Sequence, residues 1–339
     1  MSQKRLTLAD IAKKAGVSSA TASKVLNGHD DVAASTRARV EKVVRESGYK
    51  NKAATRRSAR PSIEFLVDRL TSPFAMEILR GVTLAAEEAD FDVVVGRFRP
   101  ASLESDTEMI QRVSQSGRLG AIVITAHLTD ETTQAIEEAG LPVVFIDPLR
   151  VDDDSIVSVG STNWIGGRSA TEHLISLGHE ELAMIGGPAE SISAMARVDG
   201  FRSAASTAGI TISPERIKHC LFDYDESCAA ARELLESEDR PTAIFASNDI
   251  QAMGVLEAAR QLGLLVPQDL SLVAYDDTYL ASWATPPLTA VYQPLQDIGR
   301  VSVRTLQSLH AGEKLDSHHI ELATRLNIRE STSPPKDRK

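Results

Sequence analysis

Cysteine is scarce in this chain, and the marks of secretion and membrane insertion are absent. Only Cys220 and Cys228 occur among 339 residues, and their spacing matches no metal-binding or redox motif. Two thiols in an intracellular chain are most simply reduced and structural, which excludes a disulfide-stabilised scaffold. No apolar run approaches the ~20 residues that span a bilayer, and the N-terminal residues lack the apolar stretch of a secretory signal. We therefore expect a cytoplasmic protein without a membrane partner.

Motifs of catalysis and of nucleotide binding are also missing. The chain has no Gly-x-Ser-x-Gly nucleophile, no Walker phosphate loop and no histidines at the spacing of metal ligands. Gly166 and Gly167 lack the spacing of a dinucleotide-binding loop. An enzyme needs a nucleophile or base in a suitable context, and none is recognisable. We therefore expect a protein that is not an enzyme and that needs neither a metal nor a cofactor.

The N-terminal segment has the pattern of a helix-turn-helix. Residues 7–26 read TLADIAKKAGVSSATASKVL, in which two short amphipathic stretches flank Gly16. Thr7 is a suitable N-cap with Asp10 three residues later, and Ser18 is a suitable cap for the second helix. Glycine permits the backbone conformation that a sharp turn requires. The pattern predicts two helices, of which the second can enter the major groove of DNA.

A third helix and a local excess of positive charge complete this N-terminal unit. The spacing of Val40, Val43 and Val44 predicts a helix from about Ala34 to Glu46. Residues 1–60 contain 14 Lys and Arg but only 5 Asp and Glu, although the whole chain has a net charge of −10. Contacts with phosphates need local positive charge. A solvated basic face is the alternative, and the helix-turn-helix in the same segment favours DNA binding.

Residues 50–61 are predicted to be a basic linker. They contain few apolar side chains and end at Pro61, which disfavours a helical conformation at Arg60. Such a segment lacks the apolar surface to fold alone, so it can become ordered on DNA or act as a passive tether.

Beyond Pro61, short apolar runs alternate with amphipathic stretches, which is typical of an α/β protein with parallel sheets. The number of runs favours two doubly wound subdomains, with a ligand cleft at the carboxyl ends of their strands. The predicted strands are Ile63–Val67, Phe91–Val95, Ala121–Thr125, Val143–Asp147, Ser155–Val159, Leu182–Ile185, Ala243–Ala246 and Leu272–Tyr275. The expected boundaries are 1–49 for the head, 50–61 for the linker, 62–160 with 293–320 for one subdomain, 161–292 with 321–333 for the other, and 334–339 for a disordered tail.

Both parts of the chain resemble the lactose/galactose repressor (LacI/GalR) family. The head carries TLADIAKKAGVSSATASKVLNG and, later, TRARVEKVVRESGY. The matching points of the body are Thr162-Asn163 with Gly166, HLISLGH from His173, Gly186-Gly187-Pro188, Arg197 with Gly200-Phe201, Asn248-Asp249, and Tyr275-Asp276-Asp277 before PPLTAV. The resemblance implies a cytoplasmic, nucleoid-associated dimer or tetramer with a periplasmic-binding-protein-like body that binds a sugar or another metabolite. Residues 331–339 lack a heptad pattern, which favours a homodimer.

The resemblance places the second helix of the head in the major groove. Ser19, Ala20 and Lys24 match positions that face base edges, and their side chains can contact base hydrogen-bonding groups or a thymine methyl. The neighbouring hydroxyl side chains suit phosphate contacts. The candidates for binding palindromic double-stranded DNA are Thr7, Ser18, Ser19, Ala20, Thr21, Ser23, Lys24, Asn27, Arg56 and Arg57.

The linker departs from the family pattern. Many relatives carry a leucine that wedges into the minor groove, whereas this chain has Ser58, which lacks an apolar wedge. Arg56, Arg57 and Arg60 can instead enter a narrow minor groove or contact phosphates. We predict a smaller operator kink than in those relatives, which a circular-permutation gel assay measures.

Ligand-binding side chains are expected in the body. Arg197 and Asp276 match family positions that hold the ligand, and we expect them to face each other across the cleft and to bind sugar hydroxyls. A structural ion pair is the alternative. Trp164 offers an indole face for a pyranose ring, with a core position as its alternative, and Tyr224 is a weaker candidate. The effector-binding candidates are Asp68, Phe74, Asp147, Trp164, Arg197, Phe222, Asn248 and Asp276.

Together, these features predict a repressor that a small sugar releases from its operator. A regulator controlled by a protein partner, or by a non-sugar metabolite acting as co-repressor, is the alternative. A pure solute-binding protein is disfavoured by the basic head. The stretches TNWIGG and SPFAMEILRGV resemble a branch of the family that is associated with plant-derived oligosaccharides.

Overall fold

The computed structural model describes residues 6–26, 32–47, 60–97, 106–124, 130–149 and 156–336. The chain divides into two compact units, Met1–Arg60 and Pro61–Lys339. The described helices are α1 (Leu8–Ala15), α2 (Ser19–Leu26), α3 (Ala34–Ser47), α4 (Pro73–Glu88), α5 (Asp106–Gln115), α6 (Asp130–Ala139), α7 (Asn163–Ser176), α8 (Ile192–Thr207), α9 (Tyr224–Leu235), α10 (Asp249–Gln261), α11 (Tyr279–Trp283) and α12 (Leu295–His310). The described strands are β1 (Ser62–Val67), β2 (Asp92–Arg97), β3 (Ala121–Ile124), β4 (Val143–Ile146), β5 (Ser158–Ser161), β6 (Leu182–Gly186), β7 (Ile217–His219), β8 (Ala243–Ala246), β9 (Ser271–Asp276), β10 (Thr289–Tyr292), β11 (His319–Leu322) and β12 (Arg325–Asn327).

Helices α1 to α3 form the N-terminal unit, and its local structure follows the sequence closely. Thr7 and Asp10 form the predicted capping box at the start of α1. Gly16 ends this helix at φ 65°, in the left-handed region that glycine adopts without strain. The small core of the unit consists of Ile11, Ala15, Val25 and Val40, with partly buried valines packed around it.

The second unit contains two six-stranded sheets, which confirms the predicted α/β fold. The first sheet has the order β11-β5-β4-β3-β1-β2, and all of its strand pairs are parallel. The second has the order β12-β10-β9-β8-β6-β7, in which only the pair of β10 and β12 is antiparallel. Apolar clusters lie on both faces of each sheet, between the strands and the covering helices. Each sheet is thus doubly wound.

The chain passes between the two sheets at three places, after β5, after β10 and after β11. Hydrogen bonds join these crossing segments. Ser161 Oγ donates to Gln293 Oε1 at 2.6 Å, and the hydroxyls of Thr162 and Thr324 lie 3.0 Å apart. The last crossing comes slightly later than expected, because Glu321 and Leu322 pair with β5 of the first sheet.

The C-terminal segment is held on the second sheet. Ser331 Oγ accepts from the Thr289 amide at 2.8 Å, and Ser271 Oγ donates to the Ser333 carbonyl at 2.9 Å. Lys336 Nζ donates to Asp269 Oδ1 at 2.8 Å. Residues 334–336, which we expected in a disordered tail, are therefore anchored to the body, and residues 337–339 lie outside the described part of the chain.

Candidate DNA-binding helix and effector cleft

Helix α2 presents one face outward and buries the other. Ala22 and Val25 are buried, whereas Ser19, Ala20 and Lys24 are exposed on the outer face. This separation follows from the helical period, because residues three or four apart share a face. Exposed side chains on a helix supported by two others have the geometry needed to contact base edges in a major groove.

The hydroxyl side chains around α2 and α1 also have structural roles. Ser18 Oγ accepts from the Thr21 amide at 3.1 Å and lies 2.9 Å from Thr21 Oγ1, so Ser18 caps the helix as expected. Thr7 Oγ1 donates to Asp10 Oδ2 at 2.7 Å. Ser23 is partly buried within α2. Of the remaining candidates for DNA binding, Asn27, Arg56 and Arg57 lie outside the described residues, as does Ser58.

A cleft of about 800 Å³, part of it open to solvent, lies in the body. Side chains of both subdomains line it at the carboxyl ends of the strands, as expected for doubly wound sheets. Asp68, Phe74 and Asp147 come from the first subdomain. Of the predicted effector-binding residues, those that line the cleft from the second subdomain are Arg197, Phe222, Asn248 and Asp276.

Arg197 lies on α8 and is buried by contacts with several elements. Its Nε donates to Asn163 Oδ1 at 2.8 Å, and its Nη1 donates to the Ser247 carbonyl at 2.6 Å. The guanidinium also lies 3.9 Å from the centre of the Tyr275 ring, at cation–π distance. These contacts fix the guanidinium in one orientation at the wall of the cleft.

Arg197 and Asp276 belong to the same wall of the cleft. Arg197 Nη1 lies 3.8 Å from Asp276 Oδ1, and both residues belong to the second subdomain. Our expectation that they face each other across the cleft is therefore wrong, because both side chains lie on the same side of it. The pair forms an internal ion pair and still borders the space that a ligand can fill.

Asp147 supplies the opposite wall. It follows β4 in the first subdomain, and its backbone adopts φ 42°, in the left-handed region. Burial raises the pKa of Asp147 to about 6, although the positive charge of Arg197 opposes this shift. Close by, the Ile192 amide donates to the Leu149 carbonyl at 3.1 Å and joins the two subdomains.

Asp249 is a cleft residue that the sequence analysis did not select. Its Oδ2 accepts from the Thr278 amide at 2.6 Å and from Thr278 Oγ1 at 2.8 Å. Burial raises the pKa of Asp249 well above its usual value, and the nearby Asp276 adds to the shift. Its position in the sequence could have revealed it, because Asn248 and Asp249 both follow the carboxyl end of β8, where ligands bind to a parallel sheet. The other lining residues missed are Arg69, Thr71, Ser72, Pro73, Ser193, Ile250 and Thr278.

Trp164 and Tyr224 do not line this cleft. Trp164 is 41% exposed on α7, and the Arg168 guanidinium lies 5.6 Å from its ring centre. The preceding residue, Asn163, is buried and hydrogen-bonded to Arg197, and consecutive helical residues point about 100° apart. The indole therefore points in a different direction from the Asn163 side chain and lies outside the lining of the cleft. Tyr224 is 40% exposed at the start of α9.

Comparisons with known proteins agree with this arrangement. Residues 7–51 match the bacterial regulatory proteins of the lacI family, and residues 171–332 match the periplasmic binding protein-like domain. The chain is 34% identical over 346 residues to the HTH-type transcriptional regulator CelR of Thermobifida fusca, covering 97% of this chain and 99% of that protein. The chain belongs to the LacI family. It is thus a DNA-binding transcriptional regulator whose head and body have distinct tasks.

Two solved structures of LacI-family proteins extend the comparison to the fold. The transcriptional regulator CelR–cellobiose complex aligns with a TM-score of 0.74 and 32% identity, over 96% of this chain and 100% of that chain. The lac repressor dimer bound to operator and the anti-inducer ONPF aligns with a TM-score of 0.78 and 28% identity, over 97% and 100%. Both the head and the two-subdomain body therefore correspond to those of LacI-family regulators.

The described residues lack two kinds of feature. Within those ranges, no group of three or more His, Cys, Asp or Glu side chains is placed to hold a metal ion. No helix in the described part of the chain is long and apolar enough to cross a membrane.

Proposed function

We propose that this protein represses transcription by binding a palindromic operator as a homodimer, and that a small sugar in the cleft releases it. The observation that carries the proposal is the combination of an outward-facing α2 with a polar cleft between two subdomains in one chain. Two heads related by a two-fold axis suit an inverted repeat, with one helix in each major groove.

The chemistry of the cleft supports a sugar as its ligand. Arg197, Asn248 and Asp276 provide hydrogen-bonding groups on one wall, and Asp147 provides another opposite them. Phe74 and Phe222 line the same space from different subdomains. Aromatic rings combined with donors and acceptors fit the apolar faces and hydroxyls of a saccharide. Since the related CelR forms a complex with cellobiose, cellobiose is the first ligand to test.

Release follows if the sugar binds the DNA-incompetent form of the body more tightly. The two subdomains contact the ligand from both sides and are joined by three crossing segments, so occupancy can change their relative orientation. A coupling of 1–3 kcal/mol between sugar and operator is typical of such linkage. The required differential affinity is therefore modest, and the expected sign is induction.

Fluorescence anisotropy with a labelled operator tests the proposal. Selection from a random DNA pool supplies the operator, and a scrambled duplex of the same length is the control. We expect specific binding that weakens steeply with salt and weakens about tenfold at saturating cellobiose or another sugar of a panel. A regulator controlled by a protein partner instead would bind the operator and ignore every sugar.

A substitution in α2 links the activity to the proposed surface. Lys24→Ala removes an exposed side chain of α2, whereas Lys314→Ala removes an exposed lysine of the body. We expect the first change to weaken operator binding by at least about fivefold, since a base contact contributes about 1–3 kcal/mol. The second should leave the affinity within twofold, and equal effects of the two would argue against α2 as the recognition helix.

A further inference from the structure

The described lining of the cleft carries an excess of buried carboxyl groups. Asp147, Asp249 and Asp276 all line it and are at most 9% exposed. Among the described lining residues, Arg197 carries the one buried positive charge. At the rim, Asp68 and Arg69 approach to 3.5 Å, but their side chains are about half exposed, so water screens both charges. Three buried carboxyls therefore share one buried cation.

That cation already has partners. Arg197 donates hydrogen bonds to the Ser247 carbonyl and to Asn163 Oδ1. Its Nη1 also forms an ion pair with Asp276 Oδ1, at 3.8 Å. Among the described residues, neither Asp147 nor Asp249 forms an ion pair. A ligand that brings a negative charge into the cleft would therefore approach carboxyl groups rather than a free cation, where the effective dielectric constant is low.

Asp249 adds an independent observation. Its Oδ2 is occupied by Thr278, but its buried Oδ1 accepts no hydrogen bond from any residue in the described part of the chain. Buried polar atoms usually have a partner, and leaving one without costs free energy. An ionised carboxyl oxygen only accepts hydrogen bonds, whereas a protonated one can also donate, and burial favours the protonated form of Asp249. The natural partner of this atom is thus a ligand group that both donates and accepts, such as a sugar hydroxyl.

We propose that the cleft selects its ligand by charge: it takes an uncharged saccharide, whose hydroxyls form hydrogen bonds with Asp147 and Asp249, and excludes uronates and sugar phosphates. This inference rests on the proposed function and narrows its ligand class. An anionic group cannot donate to the ionised Asp147 and is repelled by it, whereas each hydroxyl of a neutral sugar both donates and accepts.

The exclusion should strengthen as pH rises. Asp147 faces Arg197 from α8, Asp276 from β9, Glu321 from β11 and Asn163 from α7. Because burial raises the pKa of Asp147 to about 6, this carboxyl loses its proton between about pH 5 and pH 7. The cleft therefore becomes more negative with rising pH. A uronate remains ionised over this whole range, since a sugar carboxyl titrates near the α-carboxyl value of about 3.5.

Isothermal titration calorimetry of the full chain with matched ligand pairs tests the inference. The pairs are glucose with glucuronate, and cellobiose with its uronic acid. At pH 8 we expect the uncharged member to bind at least tenfold more tightly, and at pH 5 we expect this ratio to fall at least threefold. Asp147→Asn should lower the ratio at pH 8 at least threefold, whereas Asp249→Ala should weaken the binding of the uncharged member at least threefold. Glu137→Gln, an equivalent change at an exposed site on α6, should leave the ratio within twofold.

The outcomes separate this inference from the proposed function. An anionic sugar that binds as tightly as its neutral counterpart would overturn the charge selection and leave the sugar-released repressor standing. An unchanged ratio in Asp147→Asn would overturn the role of Asp147, and an unchanged affinity for the neutral sugar in Asp249→Ala would overturn that of Asp249. Should Asp249→Ala fail to fold, Asp147→Asn and the pH series still decide. Operator binding without response to any neutral saccharide would refute the sugar part of the proposed function, and this inference with it.

Discussion

Gln293 Nε2 donates to Asp276 Oδ1 at 2.7 Å, while Gln293 Oε1 accepts from Ser161 Oγ at 2.6 Å. One side chain thus connects a cleft carboxylate to a second segment that crosses between the subdomains. Gln293 itself lies at the crossing after β10 and is buried. A change in the contacts of Asp276 can therefore be transmitted directly to the crossing segments.

Replacing this glutamine should separate ligand binding from response. In Gln293→Leu, Asp276 loses one hydrogen bond and Ser161 loses another, so we expect the tenfold effect of sugar on operator affinity to fall below threefold. Sugar affinity itself should change less than the response does. Anisotropy titrations with and without sugar measure the response, and Gln134→Leu at an exposed position of α6 is the control. A full response in Gln293→Leu would rule out this connection.

The two aromatic candidates of the second subdomain should behave differently. Phe222 lines the cleft and contacts the turn at Gly187, where an added Cβ would lie 2.5 Å from the Phe222 ring. Trp164 lies outside the cleft. We expect Phe222→Ala to weaken sugar binding at least fivefold and Trp164→Ala to change it less than twofold. Calorimetry measures both, and the opposite ranking would restore the stacking role predicted for Trp164.

The C-terminal segment should contribute to stability through Ser331. This buried hydroxyl donates to the Leu272 carbonyl at 2.5 Å and accepts from the Thr289 amide at 2.8 Å. Ser331→Ala leaves both backbone groups without that partner, which costs about 1–3 kcal/mol of unfolding free energy. Urea unfolding measures the loss. Ser206→Ala, at an exposed site on α8, should change the value by less than about 0.5 kcal/mol.

Stability should fall in mild acid because of His179. Its Nε2 lies 2.9 Å from the Ser333 carbonyl, and burial lowers the pKa of His179 below 6.5. The unfolded chain therefore binds a proton at a higher pH than the folded protein does. The stabilisation is complete above about pH 6.5 and is lost as the pH falls toward the lower pKa of the folded state. Urea unfolding at pH 7.5 and pH 5.5 measures the loss, which His179→Gln should reduce; an equal loss in this variant would assign it to other groups.

Local signals predicted the head and much of the fold. The capping box at Thr7, the turn at Gly16 and the alternating apolar runs act over a few residues, so the sequence alone reveals them. Strands β7, β10, β11 and β12 were missed. Three of them are short edge strands, of which β11 has a partly exposed pattern with little periodicity, and β10 is an interior strand of only four residues. Their positions depend on pairing with distant segments, which propensity does not encode.

The cleft was predicted in part for similar reasons. Asp68, Asp147 and Asn248 could be selected because parallel strands bring their carboxyl ends together. The orientation of Trp164 depended on where α7 begins, and a shift of one residue turns a side chain by 100°. Gln293 and Asp249 matter through partners such as Ser161 and Thr278, which are far away in sequence. Only the folded arrangement reveals such contacts.

The three passages between the sheets also constrain how this protein can be rebuilt. Neither half of the body is a continuous piece of sequence, because β11 and α12 return to the first sheet after the second has been largely completed. A chimera that combines one half with the other half of a relative thus requires three matched junctions rather than one. Exchanging the N-terminal unit needs a single junction near Arg60. Modular reuse is therefore simple for the head and demanding within the body.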